Sequence, residues 1–345
     1  MSKGYSVAVV GATGAVGGEF LQLFEERGFP VSSLRLLASE RSVGKKLSFK
    51  GEDLAVLEAR PDSFEGVDFA FFSAGASRSR SLVPAALKAG ACVIDNSSAF
   101  RMDPEVPLVV PEVNGDEIRP ARKLFAVPNC TAIILLVAVN PLRKLGTIDR
   151  MIVSTYQSAS GGGAAMMREL EGQTKAALDP NTQHPTPNTS FPPYAFNLFS
   201  HNTPINEYGY NEEEWKVIQE SRKILGMPDI KINVTCIRVP VLRAHSVSVT
   251  IEFAGAAPSV DEVRQALSNA PGVRIVDDRA ANRFPTPLDA SGQGDVLVGR
   301  IRRDVSHPNA ISMFIAGDQL LKGAALNAVQ IAEQVIRVRE PAPAI

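Results

Sequence analysis

A glycine-rich turn between an apolar strand pattern and a helical pattern constrains the fold of this chain most strongly. Residues 5–10 read YSVAVV, residues 11–17 read GATGAVG, and apolar residues at helical spacing follow. This order is typical of a dinucleotide-binding turn, in which Gly11 makes the tight turn, Gly14 lets a pyrophosphate approach and Gly17 lets helix pack on strand. The spacing is GxxGxxG rather than GxGxxG, and the structural alternative is a merely tight turn.

Strands and helices alternate after this turn. Strands are predicted at 34–38, 69–73 and 92–95, and a helix with an apolar face precedes Gly90. Strands that alternate with helices indicate a parallel, doubly wound sheet. We therefore expect an α/β fold that begins with a Rossmann-like NADP-binding domain.

The second half of the chain has a different pattern. In HSVSVTIEF at 245–253, apolar and polar residues alternate, which is typical of a half-exposed strand in an antiparallel or mixed sheet. Further strands are predicted at 148–158, 296–301 and 311–315, and helices near 163–177, 211–225, 259–269 and 319–337. We expect an α+β catalytic and dimerisation domain with a mixed sheet, whose uncovered face a homodimer would cover.

These patterns predict two domains. Residues 1–129 would form the NADP-binding domain, with the helix at about 319–337 packing back on it. Residues 130–318 would form the catalytic and dimerisation domain. A length of 345 residues is sufficient for two domains of ordinary size.

Composition excludes several classes of function. The formal net charge of −1 gives no basic field for nucleic acid or membrane, and no run of about 18 apolar residues appears. Cys92, Cys130 and Cys236 are odd in number and far apart, which argues against a disulfide framework and favours a reducing, cytoplasmic compartment. The four histidines lack metal-ligand spacing, so no metal is expected.

The end of the second predicted strand favours NADP over NAD. Enzymes that use NAD usually place an acidic residue there to hold the ribose 2′-hydroxyl. This chain has Ser39-Glu40-Arg41-Ser42, and Ser39, Arg41 and Ser42 suit a 2′-phosphate. Glu40 is the exception, and it would either turn outward or allow some use of NAD.

Cys130 lies in PNCTA, directly before an apolar run of helical length. One interpretation is packing, because a free cysteine behaves as a small buried hydrophobe. The other is a nucleophile at a helix N-terminus, where the helix dipole favours the thiolate. With a nicotinamide bound, such a thiolate would attack an acyl group or aldehyde and would need a general acid–base, for which His245 is a candidate.

An acyl phosphate substrate would also need fixed cations. Arg101, Lys216 and Arg238 are candidates, since arginine can grip a carboxylate or phosphate through two parallel hydrogen bonds. Each of them taken alone is more commonly a solvated surface group. His184 and His201 lie in a loop at 179–204 rich in Pro, Asn and Thr, and they are expected at the surface.

Several stretches resemble the bacterial aspartate-semialdehyde dehydrogenase family, nearly from end to end. They are VVGATGAVG, SAGASRS, VIDNSSAFRMD, VPEVN, PNCTA, YQSASGGG, EEEWK, IRVPVLRAHS and DQLLKGAALNAVQIAE. The resemblance implies NADPH-dependent reduction of L-aspartyl 4-phosphate to L-aspartate 4-semialdehyde with release of phosphate, in lysine, diaminopimelate, threonine and methionine biosynthesis.

The resemblance also implies a role for individual residues. Cys130 would be the nucleophile, Gln157 would orient the thioacyl intermediate and His245 would be the acid–base catalyst. Substrate and phosphate would contact Arg101, Asn129, Glu213, Lys216 and Arg238. The cofactor would contact Gly11, Thr13, Gly14, Ala15, Val16, Arg41, Ser42, Ser160, Gly161 and Gln319. Glu213 is chosen among three consecutive glutamates because it precedes Lys216 by about one helical turn.

Three other interpretations of the function compete with aspartate-semialdehyde dehydrogenase activity. N-acetylglutamyl-phosphate reductase, or another acyl-phosphate reductase, would share the fold, the cysteine and NADPH. A phosphorylating glyceraldehyde-3-phosphate dehydrogenase fits less well, because the acidic residue expected for NAD is displaced. A non-catalytic NADP-binding protein would leave Cys130 as packing and the cations as surface charge.

Overall fold

Two seven-stranded sheets, one in each of two structural units, carry the fold. The computed structural model describes residues 4–179 and 192–340. One unit consists of Met1–Asn129 with Gly323–Ile345, and the other of Cys130–Lys322. The residues outside this description include His184, together with part of the predicted loop at 179–204, and residues 341–345.

The sheet of the first unit is parallel except at one edge. Its strands are β1 Tyr5–Val10, β2 Val31–Ala38, β3 Lys46–Phe49, β4 Glu52–Glu58, β5 Phe69–Phe72, β6 Cys92–Asp95 and β7 Leu124–Ala126, in the order β3-β4-β2-β1-β5-β6-β7. Helices α1 Ala15–Glu26, α2 Ala76–Lys88 and α3 Pro111–Asn114 belong to the same unit. The predicted Rossmann-like fold is confirmed.

The edge hairpin of β3 and β4 was not predicted. These two strands pair antiparallel, whereas the remaining pairs of this sheet are parallel. The turn between them contains Lys50 and Gly51, both with positive φ, at 50° and 81°. A two-residue turn with positive φ at both positions matches the right-handed twist of the flanking strands, which explains the hairpin.

The glycine-rich turn packs against its neighbours through backbone atoms. Gly11 has a φ of 92°, and a Cβ there would lie 2.4 Å from the carbonyl oxygen of Ser73. A Cβ on Gly17 would lie 2.4 Å from the carbonyl oxygen of Gly11 and 2.5 Å from that of Ala12. Gly11 therefore forms the tight turn, and Gly17 allows α1 to approach it closely.

The sheet of the second unit is mixed, as the sequence predicted. Its strands are β8 Ile148–Gln157, β9 Phe199–Ser200, β10 Lys231–Arg238, β11 His245–Phe253, β12 Val273–Ile275, β13 Val296–Arg303 and β14 Ala310–Gly317, in the order β12-β13-β14-β11-β8-β10-β9. The helices are α4 Cys130–Val139, α5 Ala164–Leu178, α6 Glu212–Leu225, α7 Val260–Ser268 and α8 Pro287–Ala290. Strand β10 was not predicted, although apolar and polar residues alternate along it.

The predicted helix at 319–337 is confirmed in type but begins differently. A wide π-helical turn, Leu321–Ala325, comes first, and α9 Leu326–Arg339 follows. Within the first unit, the Asn327 side chain donates to the carbonyl of Val109 at 2.9 Å, and Glu333 pairs with Arg27 at 2.7 Å. Among the helices of the described part of the chain, none is long and apolar enough to cross a membrane.

Two adjacent glycines of α1 provide a test of the close approach at the turn. We expect Gly17→Ala to lower the free energy of unfolding by about 2–3 kcal/mol, because its Cβ meets backbone oxygens that cannot move aside. Gly18→Ala is the matched control: its Cβ has no heavy atom within 4 Å, and the greater helix propensity of alanine is expected to stabilise by about 0.5–1 kcal/mol. Urea unfolding of both variants measures the difference, and equal midpoints would contradict the packing argument.

Candidate active site

Cys130 is the first residue of α4, a helix that is otherwise buried on every side. The nine residues after it, Thr131 to Val139, are all buried, whereas Cys130 itself is partly exposed. Asn129 precedes it and is buried. All three cysteines are free thiols. The apolar sequence thus forms a fixed support that leaves Cys130 partly exposed at a helix N-terminus, where the helix dipole favours an anion.

Gln157, the last residue of β8, connects three elements of the second unit. Its Nε2 donates to Thr131 Oγ1 at 2.5 Å and to Glu213 Oε1 at 2.9 Å. The side chain is 1% exposed, and none of the described residues forms a hydrogen bond with its Oε1. Gln157 is therefore held beside Thr131, the residue that follows Cys130. Its Oε1 remains able to accept a hydrogen bond.

The three consecutive glutamates of α6 have different surroundings. Glu214 completes a capping box with Asn211 and accepts the backbone N–H of Cys236 at 3.0 Å. Glu212 lies on the exposed side, 3.6 Å from Lys216. Glu213 is the one that contacts Gln157. The helix start thus separates a structural carboxylate, a surface carboxylate and a carboxylate directed towards Gln157.

His245 is the first residue of β11 and is 1% exposed. Its Nδ1 lies 3.1 Å from both the backbone nitrogen and the Oγ of Ser158. Its Nε2 is buried and has no hydrogen-bond partner among the described residues. Burial lowers the pKa of His245 well below its usual value, and the positive charge of Arg238 and the neighbouring His201 lower it further. The imidazole is therefore neutral near pH 7.

Arg238, the last residue of β10, lies beside His245. Its guanidinium donates to the carbonyl oxygen of Ser158 at 2.8 Å, and the side chain is largely buried. Gly161 faces both residues, because a Cβ there would lie 2.9 Å from His245 Cε1 and 3.0 Å from Arg238 Nη1. Only glycine leaves these two side chains in their present positions.

His201 was expected at the surface, and the structure corrects that expectation. Its Nδ1 lies 3.5 Å from the Arg238 guanidinium, and its buried Nε2 has no hydrogen-bond partner in the described chain. Burial, followed by the charge of Arg238, lowers the pKa of His201 to about 4. The position results from strand β9, where Phe199 pairs with Arg238. Apolar spacing in a Pro- and Asn-rich segment gave no sign of that pairing.

Ser160 and Gln319 also lie in the second unit and contact each other. Gln319 Nε2 donates to Ser160 Oγ, and Gln319 Oε1 accepts the backbone N–H of Ala244 at 2.9 Å. Ser160 Oγ lies 3.0 Å from Ser158 Oγ. Both residues are buried, and both connect indirectly to His245 through Ser158.

The remaining predicted site residues lie in the first unit. Arg101 donates to the carbonyl oxygens of Val127 at 2.9 Å and Asn96 at 2.8 Å, and so lies against the segment that leads to Asn129. Thr13 Oγ1, in the glycine-rich turn, lies 3.2 Å from Ser42 Oγ in the turn that follows β2.

The glycine-rich turn and the start of α1 have the arrangement expected of a dinucleotide site. Helix α1 begins at Ala15 and Val16, directly after the N-cap Gly14, which has no side chain to accept a hydrogen bond from the first N–H groups of the helix. Backbone N–H groups at such a helix start are typical partners of a phosphate. Arg41 and Glu40 are both exposed, whereas Ser42 is buried. No group of residues in the described ranges has the composition of a metal site.

Comparison with known proteins agrees with both units. The family described as "Semialdehyde dehydrogenase, NAD binding domain" matches residues 6–121, and "Semialdehyde dehydrogenase, dimerisation domain" matches residues 139–322. An aspartate-semialdehyde dehydrogenase from Synechocystis is 52% identical over 96% of this chain and 97% of its own length. One from Bacillus subtilis is 45% identical over 97% and 98%.

A solved structure has the same fold over nearly the whole chain. Aspartate semialdehyde dehydrogenase II of Vibrio cholerae, described as complexed with ASA, superposes with a TM-score of 0.92 and 42% identity. The match covers 97% of this chain and 99% of that one. With both domains matched and relatives this similar along its length, the chain belongs to the aspartate-semialdehyde dehydrogenase family and is an enzyme of that family.

Proposed function

We propose that this enzyme reduces L-aspartyl 4-phosphate to L-aspartate 4-semialdehyde with NADPH, through a thioacyl intermediate on Cys130. The observation that carries the proposal is the arrangement at the start of α4. Cys130 is partly exposed and begins a helix whose other residues are all buried. The next residue, Thr131, accepts a hydrogen bond from Gln157, which lies opposite Arg238 on the paired strand. A thiolate held in this way can act as the nucleophile at an acyl carbon.

The proposed chemistry proceeds at the sulfur of Cys130. The thiolate attacks the acyl carbon, a C–S bond forms, and phosphate leaves with the electrons of the C–O bond. Backbone N–H groups at the start of α4 would stabilise the developing oxyanion. The nicotinamide, when bound, supplies a hydride to the acyl carbon. Breaking of the C–S bond then returns the thiolate and releases the aldehyde. His245 would be the acid–base catalyst of the reaction.

Fixed charges would hold the substrate. Arg238 would bind the α-carboxylate, because a buried guanidinium can donate two parallel hydrogen bonds. Glu213 would pair with the amino group, and Gln157 would orient the thioacyl group. Phosphate would contact Lys216, and also Arg101 and Asn129 of the first unit. The support for this assignment is that Gln157, Glu213 and Arg238 are held near one another, all within the second unit.

We propose NADP(H) as the cofactor. Gly11, Thr13, Gly14, Ala15 and Val16 would hold the pyrophosphate, and Arg41 and Ser42 would hold the 2′-phosphate. In support, Glu40 is exposed, so its carboxylate is free to turn towards solvent. Ser160, Gly161 and Gln319 would contact the nicotinamide part.

The proposed reaction belongs to lysine, diaminopimelate, threonine and methionine biosynthesis. We propose a homodimer, in line with the matched dimerisation domain and the half-exposed outer side of strand β11. The three free thiols favour a cytoplasmic location.

The decisive assay is NADP⁺ reduction with L-aspartate 4-semialdehyde, with and without phosphate. We expect phosphate-dependent reduction that Cys130→Ala lowers by about a thousandfold or more, because the nucleophile is lost. NADPH binding, measured by fluorescence, is expected to persist in this variant. Cys92→Ala is the control, since it removes a buried thiol of the first unit and should keep its activity.

Other outcomes of this assay would contradict the proposal. Phosphate-dependent NADP⁺ reduction with N-acetylglutamate semialdehyde alone would keep the thioacyl chemistry and change the substrate. Full activity of Cys130→Ala would return Cys130 to a packing role.

Arg238→Lys tests the proposed carboxylate grip. A lysine cannot donate two parallel hydrogen bonds, and we expect the KM for the aldehyde to rise by about tenfold to a hundredfold. Arg143→Lys is the control, because Arg143 is an exposed arginine of the same unit that donates to the carbonyl oxygen of Leu225. Steady-state kinetics of both variants give the comparison, and an unchanged KM in Arg238→Lys would remove Arg238 from the site.

A further inference from the structure

A continuous chain of hydrogen bonds connects Gln319 to the imidazole of His245. Gln319 Nε2 donates to Ser160 Oγ, which lies 3.0 Å from Ser158 Oγ, which in turn lies 3.1 Å from His245 Nδ1. Gln319, Ser160 and Ser158 form what we call the serine relay. Each of its members is at most 2% exposed, so bulk water does not compete for these bonds.

The direction of the hydrogen bonds is set at both ends by backbone N–H groups, which can only donate. At one end, the N–H of Ala244 donates to Gln319 Oε1 at 2.9 Å, and this fixes the amide so that its NH₂ group faces Ser160. At the other end, the N–H of Ser158 donates to His245 Nδ1 at 3.1 Å. Nδ1 must therefore carry a lone pair, because a proton there would face the proton of the amide.

The hydroxyl hydrogens of Ser160 and Ser158 can then point only towards His245. Ser160 Oγ accepts from Gln319, so its own hydrogen is left to donate to Ser158 Oγ. The hydroxyl hydrogen of Ser158 is left in turn to donate to His245 Nδ1, where it joins the backbone N–H. A ring flip would place a C–H of the imidazole against the amide N–H, so the ring orientation is fixed as well.

We propose that the serine relay and the backbone amide of Ser158 hold neutral His245 as the tautomer that carries its proton on Nε2. Ser158 is thus a positioning residue for His245. The inference deepens the proposed function and rests on it in one respect, the role of His245 at the reacting carbonyl.

This tautomer specifies what His245 does in the reaction. Nε2 is the buried ring nitrogen for which the described chain provides no hydrogen-bond partner. With a proton on Nε2, His245 donates a hydrogen bond to the carbonyl oxygen as negative charge develops there. No proton needs to leave or arrive at that oxygen, because the alkoxide formed by hydride addition collapses directly to the aldehyde and the Cys130 thiolate. During hydride transfer, His245 therefore acts as a neutral hydrogen-bond donor to this oxygen.

Nitrogen-15 NMR measures the tautomer directly and without any turnover. The full-length protein, labelled with ¹⁵N-histidine, has four histidines, and His245→Asn assigns the signal of His245. Two-bond ¹H–¹⁵N correlations distinguish a proton on Nε2 from one on Nδ1. We expect the Nε2–H pattern for the free enzyme at pH 7–8. A proton on Nδ1, alone or in the imidazolium form, would overturn the proposal.

Gln319→Glu tests the relay at its far end. A carboxylate has no N–H to donate, so Ser160 must turn its hydroxyl towards residue 319, and the hydroxyl of Ser158 turns to donate to Ser160 Oγ instead of Nδ1. We expect the Nδ1 resonance of His245 to shift because this hydrogen bond is lost, while the proton stays on Nε2 because the backbone N–H of Ser158 still donates to Nδ1. Ser246→Ala is the control, because it removes a buried hydroxyl adjacent to His245 that has no partner in the described chain. An unchanged His245 spectrum in folded Gln319→Glu would overturn the relay.

Kinetics give an independent readout if Gln319→Glu does not fold. We expect Ser158→Ala to lower kcat by about threefold to tenfold through the lost hydrogen bond, while the KM for the aldehyde stays within about twofold. Ser246→Ala should change neither constant. Equal kcat values in the two variants would contradict the positioning role. Because the NMR result needs no activity, failure of the proposed function and failure of the tautomer are distinguished.

Discussion

The register of three neighbouring strands is the constraint on which the candidate site depends. Strand β8 pairs with β10 in parallel, so that Gln157 lies opposite Arg238. The same strand pairs with β11 in antiparallel fashion, with Tyr156 opposite Ser246, and this brings His245 next to Gln157. A slip of one residue would turn a whole set of side chains to the other face of the sheet. The apolar residues that fix the pairing of these strands therefore fix the site as well.

Much of this architecture could be predicted from the sequence, because apolar periodicity reports burial. Strand β11 has the predicted bounds, since its buried residues alternate with less buried ones. Helix α4 begins at Cys130, where the apolar run begins. The β3–β4 hairpin and strand β10 were missed, although the Lys50-Gly51 turn and the alternation along β10 were present as signals. Which strands become neighbours depends on tertiary packing, and a single sequence does not report it.

The site was predictable to a more limited extent, because the role of a polar side chain depends on its neighbours. Three consecutive glutamates look alike in the sequence, and only the direction of α6 separates Glu213, beside Gln157, from its two neighbours. His201 looks like a loop residue, yet it is half-buried beside Arg238. The family resemblance supplied residue types and roles, whereas the hydrogen bonds of Ser158 to His245 follow only from the folded backbone.

Buried polar atoms without partners are rare in folded proteins, because each loses its hydration without compensation. Three such atoms of the described chain belong to one neighbourhood: Oε1 of Gln157, Nε2 of His201 and Nε2 of His245. Their other polar atoms are fully engaged or face a fixed charge, so these side chains cannot turn to satisfy them. The fold thus holds one acceptor and two imidazole nitrogens in fixed positions. Preorganised polar groups of this kind are typical of functional sites, where they stabilise charge that develops during the reaction.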